Sequence, residues 1–128
     1  MTDAAIRHLS TEELEAGVDH IRQAPKDQGV LQLLVRRPVT LERELLQEGK
    51  LDTELGLVGD NWQTRGSGSG AANPDAQITV MNARAAALIA QDDSRWQLAG
   101  DQLYVDMDLS EDNVPAGTRL SVGSAVLE

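Results

Sequence analysis

The chain has 128 residues, a formal net charge of −10, 41% hydrophobic residues and only 2% aromatic residues. This length provides one compact domain, whose core has to be built from Leu, Val, Ile and Ala because Phe is absent. The acidic charge disfavours binding to nucleic acid and to anionic membrane surfaces, since both need clustered Lys and Arg.

The content of Cys and His limits the chemistry that the chain can perform. No cysteine is present, which rules out disulfides, thiolate ligands and a thiol nucleophile. His8 and His20 are the only histidines, and neither has a neighbouring pair of ligands, so the sequence predicts no metal site. No apolar run approaches the roughly 20 residues that span a bilayer, and the N-terminus lacks a signal-peptide pattern. We therefore predict a cytoplasmic protein.

The first predicted element is a short amphipathic helix over about residues 10–24. Ser10 and Glu13 have the spacing of a capping box, in which each side chain bonds the backbone amide of the other residue. Pro25 ends the helix. One apolar stripe follows at helical spacing, formed by Leu14, Val18 and Ile21.

A strand and an ambiguous segment follow. Residues 30–37 are branched and apolar, with Gly29 before them and Pro38 after them, which predicts a strand. Residues 40–51 fit a helix by local propensity, because Leu41 and Leu45 have helical spacing and glutamates favour helices. We therefore predict a local helix there.

The second half of the chain is predicted to contain several strands and one alanine-rich helix. Residues 66–73 form a Gly- and Ser-rich run that predicts a flexible loop. Asn82 is a candidate N-cap for an alanine-rich helix over residues 83–90. Strands are predicted over residues 77–81, 103–105, 119–122 and 125–127, with a turn at 123–124. The predicted fold is a single domain over residues 1–128, mainly β with peripheral helices (α+β), in the form of a small barrel.

Two Gly-Asp pairs are the sharpest candidates for a site. Gly59-Asp60 and Gly100-Asp101 can form tight turns between strands, because Gly permits positive φ and Asp bonds nearby amides. The same features also suit a backbone-lined pocket with a carboxylate at its mouth. Arg65, Arg84 and Arg95 are candidates for binding an anionic group such as a phosphate, and surface ion pairing is the alternative for each.

These segments, in their order along the chain, resemble the MOSC domain, the domain named for the C-terminal part of molybdenum cofactor sulfurase. The resemblance covers about residues 30–128 and corresponds to the N-terminal part of that domain. It implies a β-barrel related to the pyruvate-kinase barrel domain. The residues that carry it are Gly56–Trp62, Pro74-Asp75-Ala76-Gln77, Met81-Asn82-Ala83-Arg84 and Leu98–Glu128.

The resemblance also implies a function: sulfur carriage or transfer, or binding of the molybdenum cofactor, with a sulfur donor or a molybdoenzyme as partner. It would also make part of residues 40–51 extended. The residues proposed to line a cofactor site are Asp60, Arg65, Asn82, Arg84 and Asp101. For Asn82 the alternative role is the helix cap, and for the two aspartates it is the turn.

The chain departs from the family pattern at two places. Gly100-Asp101-Gln102 stands where many members have Gly-Glu-Asn. The family's cysteine lies beyond the strand that corresponds to residues 125–128, and this chain has none. Because a persulfide needs a thiolate, we predict no catalytic residue and no persulfide chemistry. The alternative hypothesis is a non-catalytic ligand-binding or protein-interaction domain on a truncated or degenerate MOSC barrel.

Overall fold

The computed structural model describes residues 8–39, 41–64 and 73–128. Helical and strand segments contribute similar lengths, in agreement with the α+β class. The helices are α1 (Thr11–Arg22) and α2 (Ala83–Ala90), with 3-10 helices at Pro74–Ala76 and Asp93–Ala99. The strands are β1 (Val30–Arg36), β2 (Glu44–Leu46), β3 (Leu51–Asp52), β4 (Gly56–Leu57), β5 (Val80–Asn82), β6 (Leu103–Asp106), β7 (Leu120–Val122) and β8 (Ala125–Leu127).

The described strands form three open sheets. The central sheet has four strands in the order β2-β1-β6-β5. Its neighbours pair antiparallel except β5 and β6, which are parallel. The hairpins β3–β4 and β7–β8 each form a separate two-stranded sheet. An α+β class with peripheral helices is compatible with this arrangement. Helices and strands contribute about equally, so the fold is not mainly β, and within the described residues the sheets do not close into the predicted barrel.

The central sheet carries a hydrophobic cluster on each face. Successive side chains of a strand point to opposite faces, so Leu34 and Val35 of β1 separate, as do Leu103 and Tyr104 of β6. On one face Leu34 and Leu103 pack with Leu57 and with apolar residues of both hairpins. On the other face Val35 and Tyr104 pack against α2. The sheet is thus covered by helices on one side and by hairpins on the other.

The helices pack closely because small residues lie at their contacts. Ala83 and Ala86 of α2 are buried. A Cβ at Gly17 of α1 would lie 2.7 Å from the Cδ atoms of Leu88. Gly17 weakens an isolated helix by about 1 kcal/mol relative to Ala, and here it permits the close approach of α1 to α2.

Several local predictions are confirmed. Ser10 caps α1, and its capping box with Glu13 is complete. Asn82 caps α2 by accepting from the amide of Ala85 at 3.0 Å. The strands β1, β6, β7 and β8 lie within one residue of their predicted bounds. The predicted strand 77–81 is instead shorter and shifted, at Val80–Asn82.

The predicted helix within residues 40–51 is wrong. This stretch contains β2 and the start of β3. The backbone of Leu41 has a φ of 71°, which no right-handed helix contains. Leu46 pairs with Leu34 of β1. Tertiary pairing with β1 therefore outweighs the local helix propensity of the glutamates.

The predicted loop 66–73 lies outside the described residues apart from Asn73. None of the described helices is long and apolar enough to cross a membrane.

The capping box generates the first testable prediction. Ser10→Ala is expected to lower the free energy of unfolding by about 1 kcal/mol, because the amide of Glu13 loses its acceptor. Urea denaturation of the two proteins measures the difference. Ser10→Asn, which keeps a capping oxygen, is the matched control and should unfold like the wild type. Equal midpoints for the Ala and Asn variants would contradict the contribution of the cap.

Candidate functional site

Strand register brings a group of polar residues to one end of the central sheet. Arg36 pairs with Glu44, so Arg37 and Arg43 lie next to each other just beyond the paired region. Val80 pairs with Leu103, so the segments that precede β5 and β6 meet at the same end. We call this region the arginine end. It consists of Arg37, Arg43, Thr79, Asp101 and Tyr104.

Asp101 is held at the arginine end by two neighbours. Its backbone amide donates to the hydroxyl of Tyr104 at 3.2 Å. Its half-buried carboxyl group lies near the side chain of Thr79. Burial raises the pKa of Asp101 above its ordinary value, and the Thr79 side chain opposes the rise. Asp101 therefore keeps its proton to a higher pH than an exposed aspartate does.

Tyr104 lies close enough to Arg37 and Arg43 for their charges to act on its hydroxyl group. Its ring is fully buried and contacts the ring of Trp96 at a centroid distance of 6.2 Å. Burial raises the pKa of Tyr104, and so does the negative charge of Asp101. The bond from the Asp101 amide and the positive charges of Arg43 and Arg37 oppose that rise. The Nη1 atom of Arg37 also lies 3.8 Å from the point where a side chain at Gly100 would begin. Both cations are therefore close to the 100–104 segment.

The described arginines fall into two groups. Those that form ion pairs are Arg22, Arg36, Arg84 and Arg119. Those that form no ion pair within the described part of the chain are Arg37, Arg43 and Arg95. The second group lies at the arginine end or in the 3-10 helix that leads into it. In a chain with a net charge of −10, Arg37 and Arg43 are therefore cations without an ion-pair partner in the described residues, whereas the charge of Arg95 interacts with that of Asp92.

Five buried polar atoms lack partners among the described residues, and two of them belong to Arg95 and Trp96, which line a cavity beside α2. All five belong to Arg43 or to the segment 95–102: Arg43 Nε, Arg95 Nε, Trp96 Nε1, Gln97 Oε1 and Gln102 Nε2. Buried polar groups in folded proteins are nearly always hydrogen-bonded, so each exception calls for a strain, water or ligand explanation. Four of these five atoms are nitrogen donors, and donors need acceptors such as the oxygens of an anion.

Asp60, one of the predicted site residues, joins a loop to the arginine end. Its Oδ1 accepts from the amide of Arg37 at 2.7 Å, and its Oδ2 accepts from the amide of Trp62 at 3.0 Å. Gly59 has a φ of 91°, and a Cβ there would lie 2.5 Å from Nη1 of Arg36. Gly59 and Asp60 therefore form the turn that sequence reasoning expected, and that turn positions Arg37.

Asn82 and Arg84 lie at the opposite end of the sheet. Asn82 caps α2 and donates through Nδ2 to the carbonyl of Met107 at 2.9 Å. Arg84 donates through Nε to Asp106 at 2.7 Å and through Nη1 to the carbonyl of His20 at 2.8 Å. These bonds connect α2, the end of β6 and the C-terminus of α1. The structure does not bring Asn82 or Arg84 near Asp60 and Asp101.

The five residues that the sequence predicts to line a site therefore do not lie together. Asp60 and Asp101 share the arginine end, Asn82 and Arg84 share the other end, and Arg65 lies outside the described residues. Sequence reasoning missed Arg37, Arg43, Thr79 and Tyr104 as members of the site. The available signal was the pair of arginines Arg36 and Arg37 at the end of a strand, but the partner strand β2 was predicted as helix.

Three cavities of the described structure lie away from the arginine end. Two of about 640 and 670 Å³ separate the central sheet from the β7–β8 hairpin, and one of about 440 Å³ lies beside α2 and Trp96. None of these three is lined by Arg37, Arg43 or Asp101. Among the described residues, no group of three or more His, Asp or Glu side chains could hold a metal ion.

Comparisons with known proteins add no relative to this description. No family model matches the chain, and no curated protein or solved structure matches it. The function of the arginine end is therefore inferred from its own contacts and charges.

The contacts of Asp60 generate the second prediction. Asp60→Ala is expected to lower the free energy of unfolding by about 2 kcal/mol, because two backbone amides lose a charged acceptor. Thermal and urea denaturation measure the change. Asp60→Asn keeps one acceptor oxygen and should lose roughly half as much. An alanine variant as stable as the wild type would show that the carboxylate does not hold the turn.

The third prediction concerns the opposite end and pH. Lys26, at 2.7 Å, and Ser110 lower the pKa of Asp108 from its ordinary 3.8 to about 2. A lowered pKa adds stability above pH 3.8, and this contribution is lost as pH falls towards 2. Asp108→Asn should therefore be less stable than the wild type at pH 7, and the difference should shrink below pH 4. Urea midpoints from pH 7 to pH 3 test this, with the exposed Asp112→Asn as control. A constant difference across the range would contradict it.

Proposed function

We propose that this chain is a MOSC-like domain that binds an anionic ligand non-covalently at the arginine end. The observation that carries the proposal is that Arg37 and Arg43 both lie near Tyr104 and form no ion pair within the described residues, and that the buried Nε of Arg43 has no partner there. Guanidinium groups recognise phosphate, sulfate and carboxylate by paired hydrogen bonds. The net charge of −10 disfavours unspecific attraction of anions, so a local site is needed.

The molybdenum cofactor, which the resemblance implies, is tested against the residues present. Its phosphate group fits the donor set of the arginine end, where Arg37 and Arg43 would hold it. A thiolate is lacking, because the chain has no cysteine. The cofactor, when bound in a protein, supplies redox chemistry at molybdenum. The residues of this chain would contribute binding and orientation of the phosphate group.

Sulfur transfer by a persulfide is not part of the proposal, since persulfide formation requires a thiol. A sulfur donor or a molybdoenzyme remains the proposed partner by resemblance to MOSC proteins. We further propose that the three open sheets correspond to part of a MOSC-like barrel. The support for this is the two-sided cover of the central sheet, with hairpins on one face and helices on the other.

Sulfate binding tests the proposed site. Isothermal titration of the protein with sulfate at constant ionic strength is expected to show one saturable site. Arg37→Gln and Arg43→Gln should each weaken binding about tenfold or more, the equivalent of one charge-assisted hydrogen bond. Arg119→Gln is the matched control, because Arg119 is exposed and pairs with Glu128 on the β7–β8 hairpin.

Three outcomes separate the alternatives. Loss of affinity in the Arg37 and Arg43 variants, but not in the Arg119 variant, supports the arginine end. Equal affinity in all of them overturns it. Loss of affinity in Arg84→Gln alone would move the site to the opposite end of the sheet, as first expected from the sequence.

A further inference from the structure

The cavity beside α2 combines an apolar wall with two buried donors that have no partner. Its volume of about 440 Å³ is within the roughly 300–1,000 Å³ of small-molecule pockets. Arg95 and Trp96 of the 3-10 helix line it. The Nε of Arg95 and the Nε1 of Trp96 are buried and lack a hydrogen-bond partner among the described residues.

We propose that this cavity binds an apolar monocarboxylate. Its carboxylate oxygens accept hydrogen bonds from Arg95 Nε and Trp96 Nε1, and its hydrocarbon part contacts the apolar wall. Neither Arg37 nor Arg43 lines the cavity, so the inference does not depend on the proposed function of the arginine end.

The polar part of the lining favours a negatively charged group. It consists of Arg95, Trp96, His8 and Gln91, and no Asp or Glu among the described residues lines the cavity. Buried donors in folded proteins are nearly always hydrogen-bonded, and both of these nitrogens need an acceptor. An ionised acceptor forms stronger hydrogen bonds than a neutral one, and it also meets the charge of Arg95.

The nearest negative charge acting on Arg95 comes from Asp92, but this carboxylate has other partners. The charges of the two residues interact, yet they form no ion pair within the described residues. Asp92 Oδ1 accepts from the amide and the hydroxyl of Ser94, at 2.9 and 2.7 Å. Asp92 therefore caps the 3-10 helix and leaves the Nε of Arg95 without an acceptor.

The apolar part of the lining comes from three segments of the chain. These residues are Met81, Ala86, Ile89, Ala90, Leu98 and Ala99. Ala86 is buried and belongs to the deep wall. Ile89 and Leu98 are 62% and 57% exposed, so they lie at the rim. A ligand that covers these two side chains removes apolar surface from water, which favours binding.

The base of the cavity is held by the hydrophobic cluster of the helical face. Met81 and Trp96 pack against the buried cluster that contains Ala86 and Tyr104. The Trp96 and Tyr104 rings contact each other at a centroid distance of 6.2 Å. Trp96 is therefore fixed by packing, whereas the longer Arg95 side chain has several rotatable bonds through which a small rotation brings its Nε to the ligand.

The two tryptophans of the chain provide a direct measurement. Titration of the ¹⁵N-labelled protein with 4-phenylbutyrate should shift the indole N–H resonance of Trp96 to saturation. The indole of Trp62 donates to the Asn73 carbonyl at 2.9 Å, so its resonance should stay in place as an internal reference. Trp96→Phe lacks one of the two resonances and thereby assigns them.

Variants and an uncharged probe identify the donors. Arg95→Gln and Trp96→Phe should each weaken 4-phenylbutyrate binding about tenfold, because each removes a hydrogen bond to a charged acceptor. For the wild type, the uncharged amide of the same acid should bind about tenfold more weakly. Arg119→Gln is the matched control for the loss of one positive charge and should bind like the wild type.

A pair of alanines on α2 tests the location. Ala90 lines the cavity and Ala87 does not, although both belong to the same helix. Ala90→Leu fills the cavity and should abolish saturable binding, whereas Ala87→Leu should leave it unchanged. Leu is a good helix former, so both variants are expected to fold, and their melting temperatures check this.

The outcomes support or overturn the inference. Loss of affinity in the Arg95, Trp96 and Ala90 variants, with unchanged controls, supports it. Unchanged affinity in folded Ala90→Leu overturns the cavity as the site. Equal affinity of the wild type for the acid and its amide overturns the carboxylate as the ligand group. No saturable shift of the Trp96 resonance overturns the whole inference and would assign the buried donors to ordered water.

Discussion

The pairing of β6 on both of its sides is the constraint on which the rest of the structure depends. β6 pairs antiparallel with β1 and parallel with β5, so the residues before β6 meet those after β1 and those before β5. The hydrogen bond from the Val35 amide to the Gln102 carbonyl, at 2.8 Å, continues this pairing beyond β6. The arginine end is a direct consequence, because it gathers residues from four separate segments of the chain.

Tyr104 combines a buried ring with a hydroxyl group that bonds a polar segment at this end of the sheet. Tyr104 is fully buried and belongs to the hydrophobic cluster that holds α2 to the sheet. Its hydroxyl nevertheless reaches the surface segment and accepts from Asp101. The residue that anchors the helical face thus also positions the polar group at the edge. A shift of one residue in β6 would reverse its two faces and would abolish both functions together.

The two ends of the sheet differ in how their charges are compensated. At the end that contains Asn82, Arg84 is bonded to Asp106 and to the carbonyl of His20, and Lys26 is bonded to Asp108. Such charge pairs connect elements that are distant in sequence. At the other end, Arg37 and Arg43 have no carboxylate partner within the described residues. The first arrangement is that of structural ion pairs, and the second is the arrangement on which the proposed anion site rests.

The sequence by itself determined the features that depend on neighbouring residues. The Ser10 cap, the Asn82 cap and the turn at Gly59-Asp60 follow from side chains that bond amides two or three positions away. For residues 41–51 the tertiary structure decided between the helix that local propensity favours and the extended conformation that the resemblance implies, and it alone decided the membership of the site. Leu46 is extended because it pairs with Leu34, and Arg43 meets Arg37 through the same register. Sheet pairing joins residues without regard to their distance along the chain, so local propensity contains no information about which side chains it brings together.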